Sequence, residues 1–240
     1  IAGRGYEILN QVMIAPLSQM AMPALSRLQS DHEAFKRAYL RMLSLTALLA
    51  TPAMLGFALV APSAVPLIFG IKWVDAIPVV QVLGLLAPAM VIAYFAAPAL
   101  VAKGRADTVI KLTTIQFVGT VIFSLVGVRW GITGLAWAYV LRSYLTLPIQ
   151  LHFFSKATDI SVREILGRVL PPLLPVIPMA IIVVTFGRIL PPSLEMPPGI
   201  ALAILCAVGG ASYLLGLFLL VNRFTFEQIN SVRSIVSSRT

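Results

Sequence analysis

Charge is what this chain has least of. Only 11% of its 240 residues are Asp, Glu, Lys or Arg, where a soluble domain of that size carries about a quarter. A chain so poor in charge cannot cover itself with a polar surface, and that excludes a soluble globular enzyme. Cysteine is nearly absent: Cys206 stands alone inside an apolar run. It forms neither a disulfide nor a CxxC metal motif and reads as a small packing residue. The two histidines, His32 in a loop and His152 near the end of an apolar run, have no HxxxH or HExxH spacing to hold a metal. GxSxG, a P-loop and a close pair of intramembrane acids are also missing. Neither an active site nor a bound cofactor is expected.

Hydrophobic residues fill the space that charge leaves, at 59% of the chain, with a mean hydropathy of +0.94. Long apolar runs alternate with short basic connectors, the pattern of an all-α polytopic membrane protein. The alternation of a β-barrel is not seen. A net charge of +9 and a pI near 10.2 would suggest nucleic acid in a soluble protein. Here the basic residues sit between apolar runs, where they set topology and meet anionic lipid. The expected partner is a lipid bilayer and not DNA or RNA.

A hydrocarbon core of about 30 Å needs roughly 20 helical residues. Seven stretches qualify, at 6 to 26, 42 to 69, 76 to 102, 108 to 128, 130 to 154, 169 to 189 and 198 to 221. The connectors alternate in charge. Arg27, Lys36, Arg37 and Arg41 follow the first stretch, Lys103, Arg105 and Lys111 the third, Lys156, Arg163 and Arg168 the fifth, and Arg223, Arg233 and Arg239 the last. The intervening connectors carry one basic residue each: Lys72, Arg129 and Arg188. The positive-inside rule then puts the rich connectors and the C-terminus in the cytoplasm and Ile1 outside. The opening IAGRGYEILNQ has no basic region leading into an apolar one, so no cleavable signal is expected. Together with the lack of an initiator Met, this leads us to expect a preceding part with an odd number of spans. The expected organisation is five transmembrane helices over 1 to 155, an interfacial helix over 156 to 168, two more transmembrane helices over 169 to 221, and a cytoplasmic tail over 222 to 240. Ser161 and Glu164 have capping-box spacing, as do Thr225 and Gln228 in the tail. Asp75 reads as the N-cap of the third span, with Pro78 in its first turn.

Polar residues inside hydrocarbon are costly and normally face a partner, a cavity or a transport path. In the first stretch Glu7, Asn10, Gln11 and Ser18 fall within about 100° on a wheel of 3.6 residues per turn. Ordinary interhelical hydrogen bonding would also account for that stripe. Arg142 is the sharper signal, twelve residues from Trp130 and thirteen from Ser155. At such depth an arginine costs about 2.5 to 3.5 kcal/mol even on lenient insertion scales. Tyr139, Thr146 and Gln150 lie within about 80° of it. The planar guanidinium fork suits phosphate or carboxylate. Arg142 is therefore a candidate contact for a pyrophosphate or an acidic sugar in a cavity, or else an arginine held by helix carbonyls or by an acid elsewhere in the protein. Gln81 and Gln116 are weaker signals, of the kind that tie helices together.

Several segments then carry a family resemblance. They are GYEILNQVMIAPLSQMAMPALSRLQSDHEAFKRAYLRML at 5 to 43, Pro52 with VPLIFGIKWVDAIPVVQVLGL at 65 to 85, LVAKGRAD at 100 to 107, GITGLAWAYVLRSYLTLP at 131 to 148 and ISVREILGRVLPPLLPVIPMA at 160 to 180. In order and spacing the chain resembles the C-terminal half of a Wzx-type lipid-linked oligosaccharide flippase, in the MOP exporter superfamily that includes the MATE exporters and the MurJ lipid II flippases. The resemblance implies a MATE-like two-lobe transporter in a bacterial inner membrane, of which these helices are the C-terminal lobe. It implies alternating access, an isoprenoid pyrophosphate-linked glycan as cargo, an N-terminal lobe of the same protein as partner, and possible contact with a glycan polymerase. Two other readings stay open: a MATE-like multidrug exporter, which would want acids in its cavity, and a non-transporting scaffold of a glycan-assembly complex, which would need no mid-membrane arginine.

Overall fold

A computed structural model of the chain describes residues 22–193 and 197–221. Every regular element among them is helical. Residues 22–26 are helical, and a turn leads to Asp31, whose carboxylate accepts from the Ala34 amide at 2.9 Å and caps α1, His32–Phe69. His32, expected in a loop, is instead the first residue of this helix, because the Asp31 cap starts it ten residues before the apolar run. At 1.5 Å per residue α1 is roughly 57 Å long, so its charged first turns extend past the apolar stretch that begins at 42.

Gly70, with φ 91°, ends α1, and a 3-10 turn over Ile71–Ala76 follows. Asp75 lies inside that turn; the N-cap of α2 (Ile77–Gly84) is Ala76, with no side-chain cap bond, and only the Pro78 placement stands. The run expected as one span is broken: α2 and α3 (Ala87–Ala102) meet at 61°. Pro88 explains the break, since it offers no N–H to the Gly84 carbonyl and its ring crowds that carbonyl. The chain tightens into three-residue bonds there, Leu85 N–H to Val82 O at 3.1 Å and Leu86 N–H to Leu83 O at 3.0 Å.

Beyond Gly104, α4 (Ala106–Gly127) runs into a short 3-10 turn, and α5 (Gly131–Thr158) begins at Gly131, with φ 72°. The stretch from Ala106 to Thr158 is apolar enough to cross a membrane, and it folds back on itself. A Cβ on Gly127 would lie 2.5 Å from that of Ala138, and one on Gly119 would lie 3.2 Å from Arg142 Cγ. Those pairs are neighbours only in an antiparallel hairpin. Glycine at 127 is required by this close approach of backbones.

The capping box at Ser161 and Glu164 is present and opens α6, Val162–Val169. A 3-10 turn at Pro171–Leu173 leads into α7 (Val176–Ser193), and α8 (Pro198–Leu220) packs beside it. Thr225 and Gln228 lie outside the described residues. Stretches His32–Phe69, Val162–Ile189 and Pro198–Leu220 are also long and apolar enough to span, and the bent pair α2–α3 can serve as a further span. The protein is thus an all-α polytopic membrane protein.

α1 is the hub. Its buried small residues, Ala47, Ala50, Ala58, Ala61 and Ala64, let neighbours approach closely, and it touches α2, α3, α6, α7 and α8. At one end of the bundle Tyr39 stacks on Phe154 with centroids 4.9 Å apart, above Ile160 and Ile165. Lys103 Nζ sits 4.4 Å from the Phe35 ring centroid and donates to Gln29 O at 3.3 Å. Lys36 pairs with Glu164 at 2.6 Å. The basic connectors that follow the first, third and fifth stretches therefore share one end.

Candidate functional site

Arg142 is where the fold concentrates polar chemistry inside the bundle. The hairpin brings its aliphatic stem against Gly119 of α4, and only 5% of the residue stays exposed. Its guanidinium lies 4.6 Å from the Tyr139 ring centroid, one helical turn away, a cation–π contact. Its Nε is buried and has no hydrogen-bond partner among the described residues, and no described carboxylate pairs with it. A buried donor without an acceptor is expensive.

That cavity holds about 60 Å³. α5 supplies Tyr139, Arg142, Ser143, Leu147 and Gln150, α4 supplies Gln116, and Ala89, Met90 and Ala93 of α3 close it. Of the four residues expected on one face of α5, three line it. Thr146 does not: its hydroxyl donates to Arg142 O at 2.9 Å and accepts from Gln150 Nε2 at 3.0 Å, so it holds Gln150 in place from behind. Ser143 donates to Tyr139 O at 2.8 Å. Glu7, Asn10, Gln11 and Ser18 lie outside the described residues. Ser143 was missed by the wheel, and Gln116 was ranked only as helix glue. The antiparallel register of α4 on α5, which brings Gln116 beside Arg142, is a tertiary fact that periodicity does not carry.

A second cavity, of about 480 Å³, is an apolar groove between α1, α7 and α8, lined among others by Pro52, Gly56, Met179, Leu205 and Tyr213. Cys206 also lines it and is exposed. The packing role expected for this thiol does not hold, because it faces out of α8 and not into a neighbour.

Outside the apolar stretches, one ion pair has clear electrostatics. The Lys36 ammonium bonded to Glu164 holds that carboxyl below its ordinary range, helped by the Ser161 amide and hydroxyl. Glu164 in turn raises Lys36. The pair ties α6 to the start of α1.

Comparison with known proteins finds similarity to membrane proteins of polysaccharide biosynthesis. The model of a family described as "Polysaccharide biosynthesis protein" matches residues 1–78. The lipopolysaccharide biosynthesis protein WzxC of Escherichia coli K12 is 29% identical over 123 residues, 48% of this chain and 25% of that protein. The teichuronic acid biosynthesis protein TuaB of Bacillus subtilis is 24% identical over 229 residues, 91% of this chain and 46% of that protein. An uncharacterized membrane protein in the cps region of Klebsiella pneumoniae is 24% identical over 163 residues, 63% of this chain and 33% of its own. The chain thus spans less than half the length of each of these relatives. In these matches, and in its apolar helical architecture, the chain is similar to polysaccharide biosynthesis membrane proteins of the Wzx type over part of their length.

Proposed function

We propose that the chain works as one lobe of a transporter that moves an isoprenoid pyrophosphate-linked oligosaccharide across a bacterial inner membrane, with Arg142 contacting the anionic head-group. The observation that carries this reading is the buried arginine whose Nε has no partner, set in a polar cavity within an apolar bundle. Two-repeat transporters build their substrate sites at mid-membrane and expose them to each side in turn, and a cation at that depth suits a phosphate better than a drug cation. Gln116, Ser143 and Gln150 add donors and acceptors for a phosphate or sugar hydroxyl. The gathering of basic connectors at one end supports a cytoplasmic placement of that end and of the C-terminus. In this role the protein performs no bond chemistry.

The test is to place Arg142→Ala and Arg142→Lys in the chromosomal gene and measure surface glycan together with membrane abundance. Loss of glycan in both variants at unchanged abundance is the expected result, since Lys cannot reproduce the planar fork. Export that stays normal, or that falls only in step with abundance, would overturn the assignment.

A further inference from the structure

The corner between α2 and α3 borders the Arg142 cavity. Gly84, the last residue of α2, is clamped on α1: a Cβ there would lie 2.4 Å from that of Ala58 and 3.3 Å from Met54 O. Val79, Val82 and Leu86 pack with Ala136 and Val140, which fixes α2 to α5 as well. α3 leaves this anchored base at 61°, and the residues of its first two turns, Ala89, Met90 and Ala93, form the wall facing Arg142. A hydrogen bond from α5 reaches the corner itself. Tyr144, two residues from Arg142 on α5, donates from its hydroxyl to Leu85 O at 2.7 Å.

The bond has a local reason. A helix that continued through this point would meet the Leu85 carbonyl with the Ala89 amide four residues on; here the chain turns through three-residue bonds at Leu85 and Leu86, and that pairing is lost. A carbonyl freed in hydrocarbon needs another donor, and Tyr144 supplies one at Leu85. It does so from the same helix that carries the arginine, so the angle of α3 and the position of the guanidinium are referred to one element.

We propose that Tyr144 is a positioning residue whose hydrogen bond to the Leu85 carbonyl sets the bend between α2 and α3 and thereby how widely the Arg142 cavity opens. Both helices are packed, α2 on α1 and α5 and α3 on α1 through Ala87, Val91 and Phe95, so the bond at the joint adjusts the angle between them and does not free either one. Releasing the corner moves Ala89, Met90 and Ala93 relative to Arg142 and leaves the far end of α5 unchanged. The inference rests on the transport reading for its purpose and stands on the geometry for its mechanics.

The experiment uses the full-length protein in vesicles of phosphatidylethanolamine and phosphatidylglycerol, in a Cys206→Ala background. A reporter Ala93→Cys faces the cavity, a control Lys156→Cys sits at the exposed end of α5, and a membrane-impermeant thiosulfonate reads the labelling rate of each. Tyr144→Phe keeps the ring and removes only the hydroxyl. It is expected to change the Ala93→Cys rate by roughly two- to tenfold, the range that follows from losing one hydrogen bond, with the Lys156→Cys rate unaltered. An unchanged rate at Ala93→Cys overturns the proposal. Equal changes at both sites also overturn it, since they mark general loosening. Pro88→Ala, which returns an amide to the corner, is expected to move the same reporter; a response to Pro88→Ala without one to Tyr144→Phe assigns the bend to proline alone and removes Tyr144 from it. These labelling rates do not depend on export, so a failed Arg142 assignment and a failed hinge are read separately.

Discussion

Gly119 and Arg142 are in direct contact across the α4–α5 hairpin: a Cβ on Gly119 would come within 3.2 Å of Arg142 Cγ and 3.4 Å of Cδ. The arginine stem has been given the space of a missing side chain, and that space fixes where the guanidinium points. Gly119→Ala asks a flexible stem to yield by a few tenths of an ångström and is expected to be tolerated. Gly119→Val places a branched group there and is expected to swing Arg142 off its cavity, at an overpacking cost of about 1 to 3 kcal/mol. Under the proposed function, glycan export should fall further in Gly119→Val than membrane abundance does, measured side by side on the same cultures. Matching falls in the two quantities would mean that the glycine serves packing only.

The pair of Lys36 and Glu164 predicts how α6 responds to pH. Glu164 has a folded-state pKa below its ordinary value. Its contribution is therefore complete above the ordinary carboxylate range and is lost as pH falls through the lowered value. Lys36 is shifted upward, so its contribution is complete below the ordinary ammonium range and disappears as pH rises through the raised value. The contact should be intact across neutral pH and fail at both extremes. Limited proteolysis near Lys156 to Ser161, in membranes opened to the protease, is expected to quicken on acidification. Glu164→Gln is expected to show the faster cleavage already at neutral pH and to lose most of its acid response. A Glu164→Gln profile that overlays the parent at every pH would show that the ion pair does not hold α6.

Particular residues show what could be read from the sequence and what could not. The capping box at Ser161 was legible because it is local, three residues apart with fixed donors and acceptors. The α5 face of Arg142, Tyr139 and Gln150 was legible because 3.6-residue periodicity places those side chains together regardless of neighbours. Asp75 misled for the opposite reason. A good capping residue stood before an apolar run, yet the chain after Gly70 wound into a 3-10 turn and carried Asp75 inside it. The third stretch reads as one span by hydropathy, and only the consequence of Pro88 for Gly84 breaks it. Gln116 joined the site through helix register, which depends on the glycines at 119 and 127 meeting α5.

Proline also leaves a carbonyl to be satisfied inside α1, and there a tyrosine meets it. Pro52 interrupts α1 and has no N–H for the Leu48 carbonyl one turn earlier. Tyr213 of α8, with 5% of its surface exposed, reaches that carbonyl at 3.2 Å and the Pro172 carbonyl at 3.3 Å. One hydroxyl thus ties together α1, α8 and the turn that precedes α7, along the wall of the apolar groove. Tyr213→Phe removes the donor and keeps the ring, so the groove should retain its shape while two carbonyls lose their shared partner. Interhelical hydrogen bonds in membranes average about 0.6 kcal/mol, with a maximum of about 1.7. Because the single hydroxyl serves two acceptors, the loss is expected in the upper part of that range. Unfolding of the purified protein in mixed micelles, followed by tryptophan fluorescence against increasing sodium dodecyl sulfate, should show the midpoint of Tyr213→Phe at lower denaturant than the parent. An unmoved midpoint would mean that water or lipid head-groups satisfy both carbonyls as well as the tyrosine does, and that the three elements are joined by apolar packing alone.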